Sequence, residues 1–251
     1  MTSPPRVPAG VVVQADDVVA QVTPGGAGVR TLLDTGAGGP GLVRRRVDVP
    51  SGSTYAGTAG EAGELWFVIG GDGRLDVGGQ RGVPLSPDRA AWIPGGSEFG
   101  VRAGEGGAMR MDVVVLPADV SSAEPSSEEP LTRDFADCEI ETTGDRQFRV
   151  LFGRGRGCSV ATQFVGEIPP GRAPEHSHPY DEVVMILGGT GTAHVGGGQY
   201  QLTPGTCLHL PPGLPHCLEN TSSAMLRVLG VFHPAESPAA KLPPASQAQA
   251  G

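Results

Sequence analysis

The chain of 251 residues carries one stretch twice, and this limits its fold more than any other feature. Glu64-Leu-Trp-Phe-Val-Ile-Gly-Gly-Asp-Gly-Arg-Leu-Asp-Val-Gly-Gly79 is answered 118 positions later (182 − 64) by Glu182-Val-Val-Met-Ile-Leu-Gly-Gly-Thr-Gly-Thr-Ala-His-Val-Gly-Gly197. Leu85-Ser-Pro-Asp-Arg-Ala-Ala-Trp-Ile-Pro94-Gly-Gly96 is answered by Leu202-Thr-Pro-Gly-Thr-Cys-Leu-His-Leu-Pro211-Pro-Gly213, 117 positions on (202 − 85). Val49-Pro50-Ser-Gly52 precedes the first copy as Ile168-Pro169-Pro-Gly171 precedes the second. Matches that keep one order and near-constant spacing predict two copies of one unit of roughly 110 residues.

The unit is predicted to be all-β. Short Val-rich runs, such as Leu42–Val49, Leu65–Ile69, Met109–Leu116, Val183–Leu187 and Met225–Phe232, are bounded by Gly, Pro, Asp and Ser. Runs of that length and composition read as strands. The 40 glycines and 24 prolines punctuate these runs, as a turn-rich β-protein requires. Residues 1–10 are expected to be a flexible N-terminus and 11–116 the first unit. The polar, acidic, Pro-bearing stretch 117–132 reads as a linker. The second unit follows at 133–233. Residues 234–251 form a tail, in which Ala235–Lys241 is expected to make one or two helical turns.

Charge and cysteine usage exclude several classes. A net charge of -9 with no basic stripe argues against a nucleic-acid partner. Arg44-Arg45-Arg46 is the densest cationic run, and on a strand it reads as a solvated or salt-bridged face. Cys138, Cys158, Cys207 and Cys217 lack Cys-x-x-Cys spacing and suggest neither a disulfide framework nor a zinc knuckle. No window approaches the roughly 18 apolar residues of a membrane span, and Met1–Gly10 has no signal-peptide core. The expectation is a cytoplasmic protein with no membrane partner.

The chemistry is concentrated between Gly171 and Asn220. His176 and His178 are one residue apart, so on extended backbone both imidazoles face one way. Glu182 follows across Pro179-Tyr180-Asp181, a stretch suited to a bend. His216 arrives from a different strand pair, after Pro211-Pro212-Gly213. Three imidazoles and one carboxylate can close around one divalent transition metal ion and leave positions open for a substrate.

These residues resemble the two motifs of the cupin superfamily. In the first, Gly171, His176, His178, Glu182 and Gly189 fit, with four residues rather than five before the first histidine. In the second, Gly205, Pro211, Gly213, His216 and Asn220 fit without departure. The resemblance implies a double-stranded β-helix, or jelly-roll barrel, with His176, His178, Glu182 and His216 as metal ligands inside it. The repeat extends it to two tandem barrels, a bicupin. No histidine precedes His176. Thr58 and Gly60, or Gly57 and Ala59, stand where the paired histidines would align, Phe99 replaces the last one, and Glu64 alone is kept. The first barrel is therefore expected to have lost its metal site and to pack against the second, as a second subunit does in dimeric cupins. A homodimer of the whole chain is also plausible.

Further candidates surround the motifs. Tyr180 is a candidate general acid/base at the barrel mouth, with packing as the alternative. His209, the counterpart of Trp92, is a candidate donor to the site or substrate contact, or else an outward strand residue. Gln163, Phe164 and Arg172 border the first motif as possible pocket lining. Cys207 and Cys217 read as small buried hydrophobes, and His194 and His233 receive no role.

The ligand set implies a metal-dependent enzyme acting on a small chelating organic molecule. With Fe the expectation is a mononuclear non-heme dioxygenase. With Mn, Ni or Zn it is a redox-neutral isomerase, lyase or cyclase. A non-catalytic binding or sensor protein is the other alternative. A metal-free epimerase-like cupin is disfavoured by the complete ligand set.

Overall fold

The computed structural model describes residues 12–36, 41–118 and 131–240. The N-terminus before residue 12, most of the expected linker and the end of the tail lie outside these. The described residues form antiparallel strands with two single-turn 3-10 helices, Ala15–Asp17 and Phe135–Asp137. The strands make two seven-stranded and two four-stranded sheets. One large and one small sheet enclose each of two interiors, giving two tandem jelly-roll barrels.

The first large sheet runs in the order Thr132–Asp134, Arg89–Ile93, Glu64–Gly70, Met109–Val115, Val43–Val49, Gly28–Asp34, Gln21–Val22. The second runs Val12–Gln14, Thr206–Leu210, Asp181–Gly188, Leu226–His233, Thr162–Ile168, Arg146–Phe152, Glu141–Thr143. The two lists are the same up to the repeat, and each opens on a strand from the other half of the sequence. Val12–Gln14 pairs with Thr206–Leu210, and Thr132–Asp134 pairs with Arg89–Ile93. A division at 11–116 and 133–233 therefore does not follow the sheets. Each lent strand runs straight into one of the 3-10 turns, so the repeat also covers residues that show no similarity by eye.

The large sheets pack face to face between the barrels. Strand parity assigns the residues: Glu64, Trp66 and Val68 face the first interior, while Leu65 and Phe67 join the layer between barrels. In the second barrel Val184 and Ile186 face inward, and Val183 and Met185 meet Leu65, Phe67, Trp92, Leu229 and Val231 in that same layer. Burial on both faces explains why these strands read as continuous apolar runs and do not alternate.

The arginine run is salt-bridged but not solvated. Arg44 is fully buried on the inter-barrel face, with Nε and Nη2 at 2.8 and 2.9 Å from the Asp112 carboxylate. Its Nη2 also donates to the Leu229 carbonyl of the second barrel at 3.1 Å. Arg46 is buried too, and donates to Asp16 at 2.6 Å beside the lent first strand. Arg45, of opposite parity, turns toward the first interior. Alternation on one strand thus divides three identical residues among three environments.

The predicted helical turns after Ala235 do not form. Residues 235–240 make a turn, with the Ala240 amide donating to the Ser237 carbonyl at 2.9 Å. The segment lies on the second barrel: Ala235 is buried, and Thr162 Oγ1 donates to the Glu236 carbonyl at 2.9 Å. Two prolines within five residues, Pro234 and Pro238, oppose a helix there. No helix among the described residues is long and apolar enough to cross a membrane.

Candidate metal centre

Backbone pairing brings the two motifs together. The amides of His176 and His216 each donate to the other's carbonyl, at 3.0 and 2.9 Å, so the two residues form an isolated antiparallel bridge. The Gly213 amide, in the Pro-Pro-Gly turn, donates to the His178 carbonyl at 2.9 Å. Glu182 stands at the start of strand Asp181–Gly188 and points into the barrel. The bend expected at Pro179-Tyr180-Asp181 returns its carboxylate to His178.

His178, Glu182 and His216 offer ligand atoms that all lie within 4.8 Å of one another, and all three residues are buried. His176 sits just outside this group. Its ring centroid is 4.5 Å from that of His216 and 6.1 Å from that of His178, and it is less buried. The structure therefore places three of the four expected ligands in one cluster, with the fourth against its edge.

Each histidine is anchored through Nδ1. The acceptors are the carbonyls of Pro174 for His176 (3.1 Å), Tyr180 for His178 (3.3 Å) and Leu214 for His216 (2.9 Å). A carbonyl only accepts, so Nδ1 carries a proton, and in the neutral ring Nε2 then keeps its lone pair. That is the tautomer in which a second group orients a metal-binding imidazole. His178 Nε2 then faces Glu182 Oε2 at 2.7 Å, yet has no hydrogen-bond partner. Two electron-rich atoms are thus held together in a buried place. Ligand atoms about 2.1 Å from one ion lie about 3 Å apart when adjacent, so these donors fit a divalent transition metal. Burial also favours the neutral form of His176 and His216, the form that binds metal. His176 is lowered to about 4 by burial first, then by the neighbouring His216, and His216 is lowered chiefly by burial.

The cluster opens into a cavity of about 90 Å³ between the large and small sheets. Phe148, Phe164, Val184, Leu210 and Val228 form apolar walls, while Arg146 and Pro238 also line it. Its size suits a molecule of a few non-hydrogen atoms, well below the usual drug-sized pocket.

The remaining sequence candidates divide clearly. Phe164 lines the cavity. Gln163, of opposite parity, is buried between the barrels and donates to the Trp66 carbonyl at 3.4 Å. Arg172 lies on the outer surface, with Nε 3.4 Å from Cys217 Sγ. Cys207 and Cys217 are both buried, as read. His209 is not near the cluster. It pairs across from Val183, shares its outward parity, and meets Asp181 Oδ1 at 2.6 Å, while Thr35 donates to the other Asp181 oxygen at 2.7 Å.

Tyr180 takes the packing arrangement. Its ring is stacked between His178 and Phe232, with centroids 4.2 and 4.0 Å away. Its hydroxyl reaches only the Ser237 and Ala240 carbonyls at 3.5 Å. Burial, and then the Glu182 charge, raise its pKa far above the ordinary range. Tyr180→Phe is expected to retain turnover within about threefold, whereas loss of a general acid/base costs about 10² or more. Steady-state rates with the protein's own substrate check this.

Gly230 is a site residue that sequence reasoning missed. A Cβ there would lie 2.2 Å from the Phe164 ring and 2.9 Å from Glu182 Oε1. Its signal was available: a glycine inside a strand marks a close approach. Gly230→Ala is expected to shift Glu182 and weaken metal affinity about tenfold, the cost typical of disturbing a ligand's support. Competition with a chromophoric chelator reads this directly.

The first barrel is filled where the second is open. Tyr55, Trp66 and Phe99 cluster with ring centroids 4.8 to 6.0 Å apart. Trp66 and Phe99 occupy the repeat positions of Val184 and His216. Glu64 accepts from Trp66 Nε1 at 2.8 Å, and burial raises its pKa, opposed in part by the positive charge of Arg45. Arg45 occupies the repeat position of Phe164. An indole therefore donates to the carboxylate that a metal would meet in the second barrel. The glycines serve both barrels alike: a Cβ at Gly71 or Gly189, both at positive φ, would strike backbone of the neighbouring strand at 2.2 or 2.7 Å.

Comparisons with known proteins agree with this architecture. Residues 164–232 match the family model described as a cupin domain. Solved structures of oxalate decarboxylase superpose on most of the chain. A serine-to-alanine variant of the Bacillus subtilis enzyme gives a TM-score of 0.71 at 14% identity, covering 91% of this chain and 78% of that one. A structure of oxalate decarboxylase addressing substrate binding mode and reaction specificity gives 0.72 at 14% identity, with the same coverage. One addressing the Mn(II) centres of the Bacillus subtilis enzyme also gives 0.72, again at 14% identity and the same coverage. A search of curated protein sequences found no match.

Proposed function

We propose that this chain is a bicupin with one working barrel: a metal-dependent enzyme that holds one divalent transition metal ion at His176, His178, Glu182 and His216. Its substrate is a small organic molecule able to chelate that ion. The observation that carries the reading is the buried contact of His178 Nε2 with Glu182 Oε2, two unshared lone pairs 2.7 Å apart with His216 beside them. A bound metal ion would supply Lewis acidity toward substrate oxygens.

The chain's own residues supply position and environment. The Pro174, Tyr180 and Leu214 carbonyls fix the three imidazoles. Tyr180, itself backed by Phe232, stacks on the face of the His178 ring and fixes its plane. The apolar walls exclude bulk water, which strengthens electrostatic interactions within. His176, less buried and at the edge of the cluster, is the ligand best placed to adjust as substrate enters.

Two reaction classes remain for such a site, a dioxygenase and a redox-neutral lyase or isomerase. The redox-neutral class has the more specific support, because the solved neighbours include a decarboxylase with Mn(II) centres. Metal analysis of the purified protein, followed by turnover of chelating carboxylates and hydroxycarbonyl compounds at an oxygen electrode, tests both. One metal per chain and product without oxygen consumption is expected. Oxygen uptake matching product would restore the dioxygenase. Failure to retain stoichiometric metal after reconstitution would overturn the proposal.

A further inference from the structure

One polar residue of the cavity has no task in the scaffold. Arg146 begins strand Arg146–Phe152 and shares the inward parity of Phe148. It lines the same cavity as His176, His178, Glu182 and His216, and it is the one cation among the lining residues. Its Nε is buried and has no hydrogen-bond partner. Among the described residues its side chain makes no ion pair either. A buried guanidinium nitrogen without a partner costs stability. Arg46, Arg89, Arg149 and Arg227 share that state, but Arg146 differs from them in lining the cavity, where an acceptor from outside the chain could reach it.

The repeat supplies an independent observation. Phe148 pairs with Gly166 and Val29 with Val47, and these pairs are equivalent (166 − 47 = 119 = 148 − 29). Two residues earlier, Arg146 therefore corresponds to Ala27, which is buried in the first barrel's apolar interior. The barrel fold is satisfied by alanine at this position. The arginine is present in the barrel that has the histidines and absent from the one that lacks them.

Resting on the metal-centre reading above, we propose that Arg146 is the anion-binding residue of the site and that the substrate is a small carboxylate, held between the metal ion and this guanidinium. A divalent ion, one Glu182 carboxylate and Arg146, with neutral imidazoles, leave a cavity with two net positive charges, which selects for an anion. The planar fork of arginine matches a carboxylate with two parallel N–H···O bonds. The cavity of about 90 Å³ limits that carboxylate to a few non-hydrogen atoms. The apolar walls offer nothing to a long or highly polar chain.

The test compares glycolate with glycolamide, which differ in the charge that Arg146 would read. Titration calorimetry is run on metal-loaded and metal-free protein, for wild type, Arg146→Gln and Arg146→Lys. Metal content is measured separately for each. Arg146→Gln is expected to keep its metal, to weaken glycolate binding about thirtyfold and to change glycolamide binding less than twofold. Arg146→Lys is expected to recover part of the loss, since it restores charge without the fork. An unchanged glycolate preference in Arg146→Gln that retains metal would overturn this proposal and leave the metal reading intact. An Arg146-dependent preference in protein that takes no metal would uphold the anion site while the metal reading fails. Should the glutamine variant not fold, the lysine variant carries the same comparison: wild-type glycolate affinity and wild-type salt dependence with a lysine there would count against recognition by the guanidinium fork.

Discussion

His178→Ala protein is expected to emerge from purification nearly free of metal, with affinity lowered at least about a hundredfold. Disturbing only the partner that orients a ligand costs 10- to 100-fold, and removal of the ligand itself is more severe. His178 is central in three respects. Its Nε2 is the atom nearest the Glu182 carboxylate, its Nδ1 is fixed by the Tyr180 carbonyl, and its ring stacks on Tyr180. The substitution also relieves the contact between two lone pairs, so the metal-free variant should melt no lower than metal-free wild type by more than the lost stacking, about 1 kcal/mol. The control is Glu64→Gln. Glu64 is the repeat equivalent of Glu182, but it accepts from the Trp66 indole and the Gly60 amide. That variant should retain one metal per chain by elemental analysis. Equal metal loss in both variants would refute a single site in the second barrel.

The second large effect concerns stability. Asp112→Ala leaves the Arg44 guanidinium fully buried with only the Leu229 carbonyl as a named acceptor. Breaking one side of a buried ion pair costs about 3–5 kcal/mol. For a chain of this size that corresponds to a fall in Tm of about 10 °C. Arg44 Nη1 already lacks a partner, so the pair is not optimally satisfied even in the wild type. Replacing both residues with apolar ones, Arg44→Met with Asp112→Leu, should recover most of the loss, because such pairs often stabilise no more than a well-packed apolar substitute. Urea denaturation of the three proteins checks this. A double variant as unstable as the single one would show that the guanidinium contact across the barrels matters beyond satisfaction of the pair.

Much of this molecule was legible before its coordinates. Repeat, turn residues and Val-rich runs were enough for two all-β units, the motif resemblance implied that they are barrels, and the spacing of His176, His178, Glu182 and His216 was enough for the cluster. Other features depend on which face of a strand a residue occupies, and a run buried on both faces conceals its parity. His209 therefore read as adjacent to the site although it faces the other barrel. Gln163 and Phe164 read alike although neighbouring positions point opposite ways. Arg44 read as a solvated or salt-bridged face because arginine on a strand is usually at the surface, and Arg146 carried no signal. Only the fold shows that one is sealed between barrels and the other lines the cavity. The exchange of Val12–Gln14 and Thr132–Asp134 had no signal at all, since three-residue strands pair through backbone atoms that carry no residue preference.

That exchange determines how the molecule can be divided. Cutting the chain between its two similar halves does not yield two barrels. Each fragment would lose a terminal strand and expose unpaired amides and carbonyls along Thr206–Leu210 or Arg89–Ile93, an invitation to edge-to-edge association. Each would also lay bare the broad apolar face that its twin now covers. The histidine-free barrel is therefore neither a relic nor a spacer. It completes the sheet from which Glu182 projects, through a strand only three residues long, and a chain stripped of it would have to recruit a second polypeptide before it could present its ligands in order.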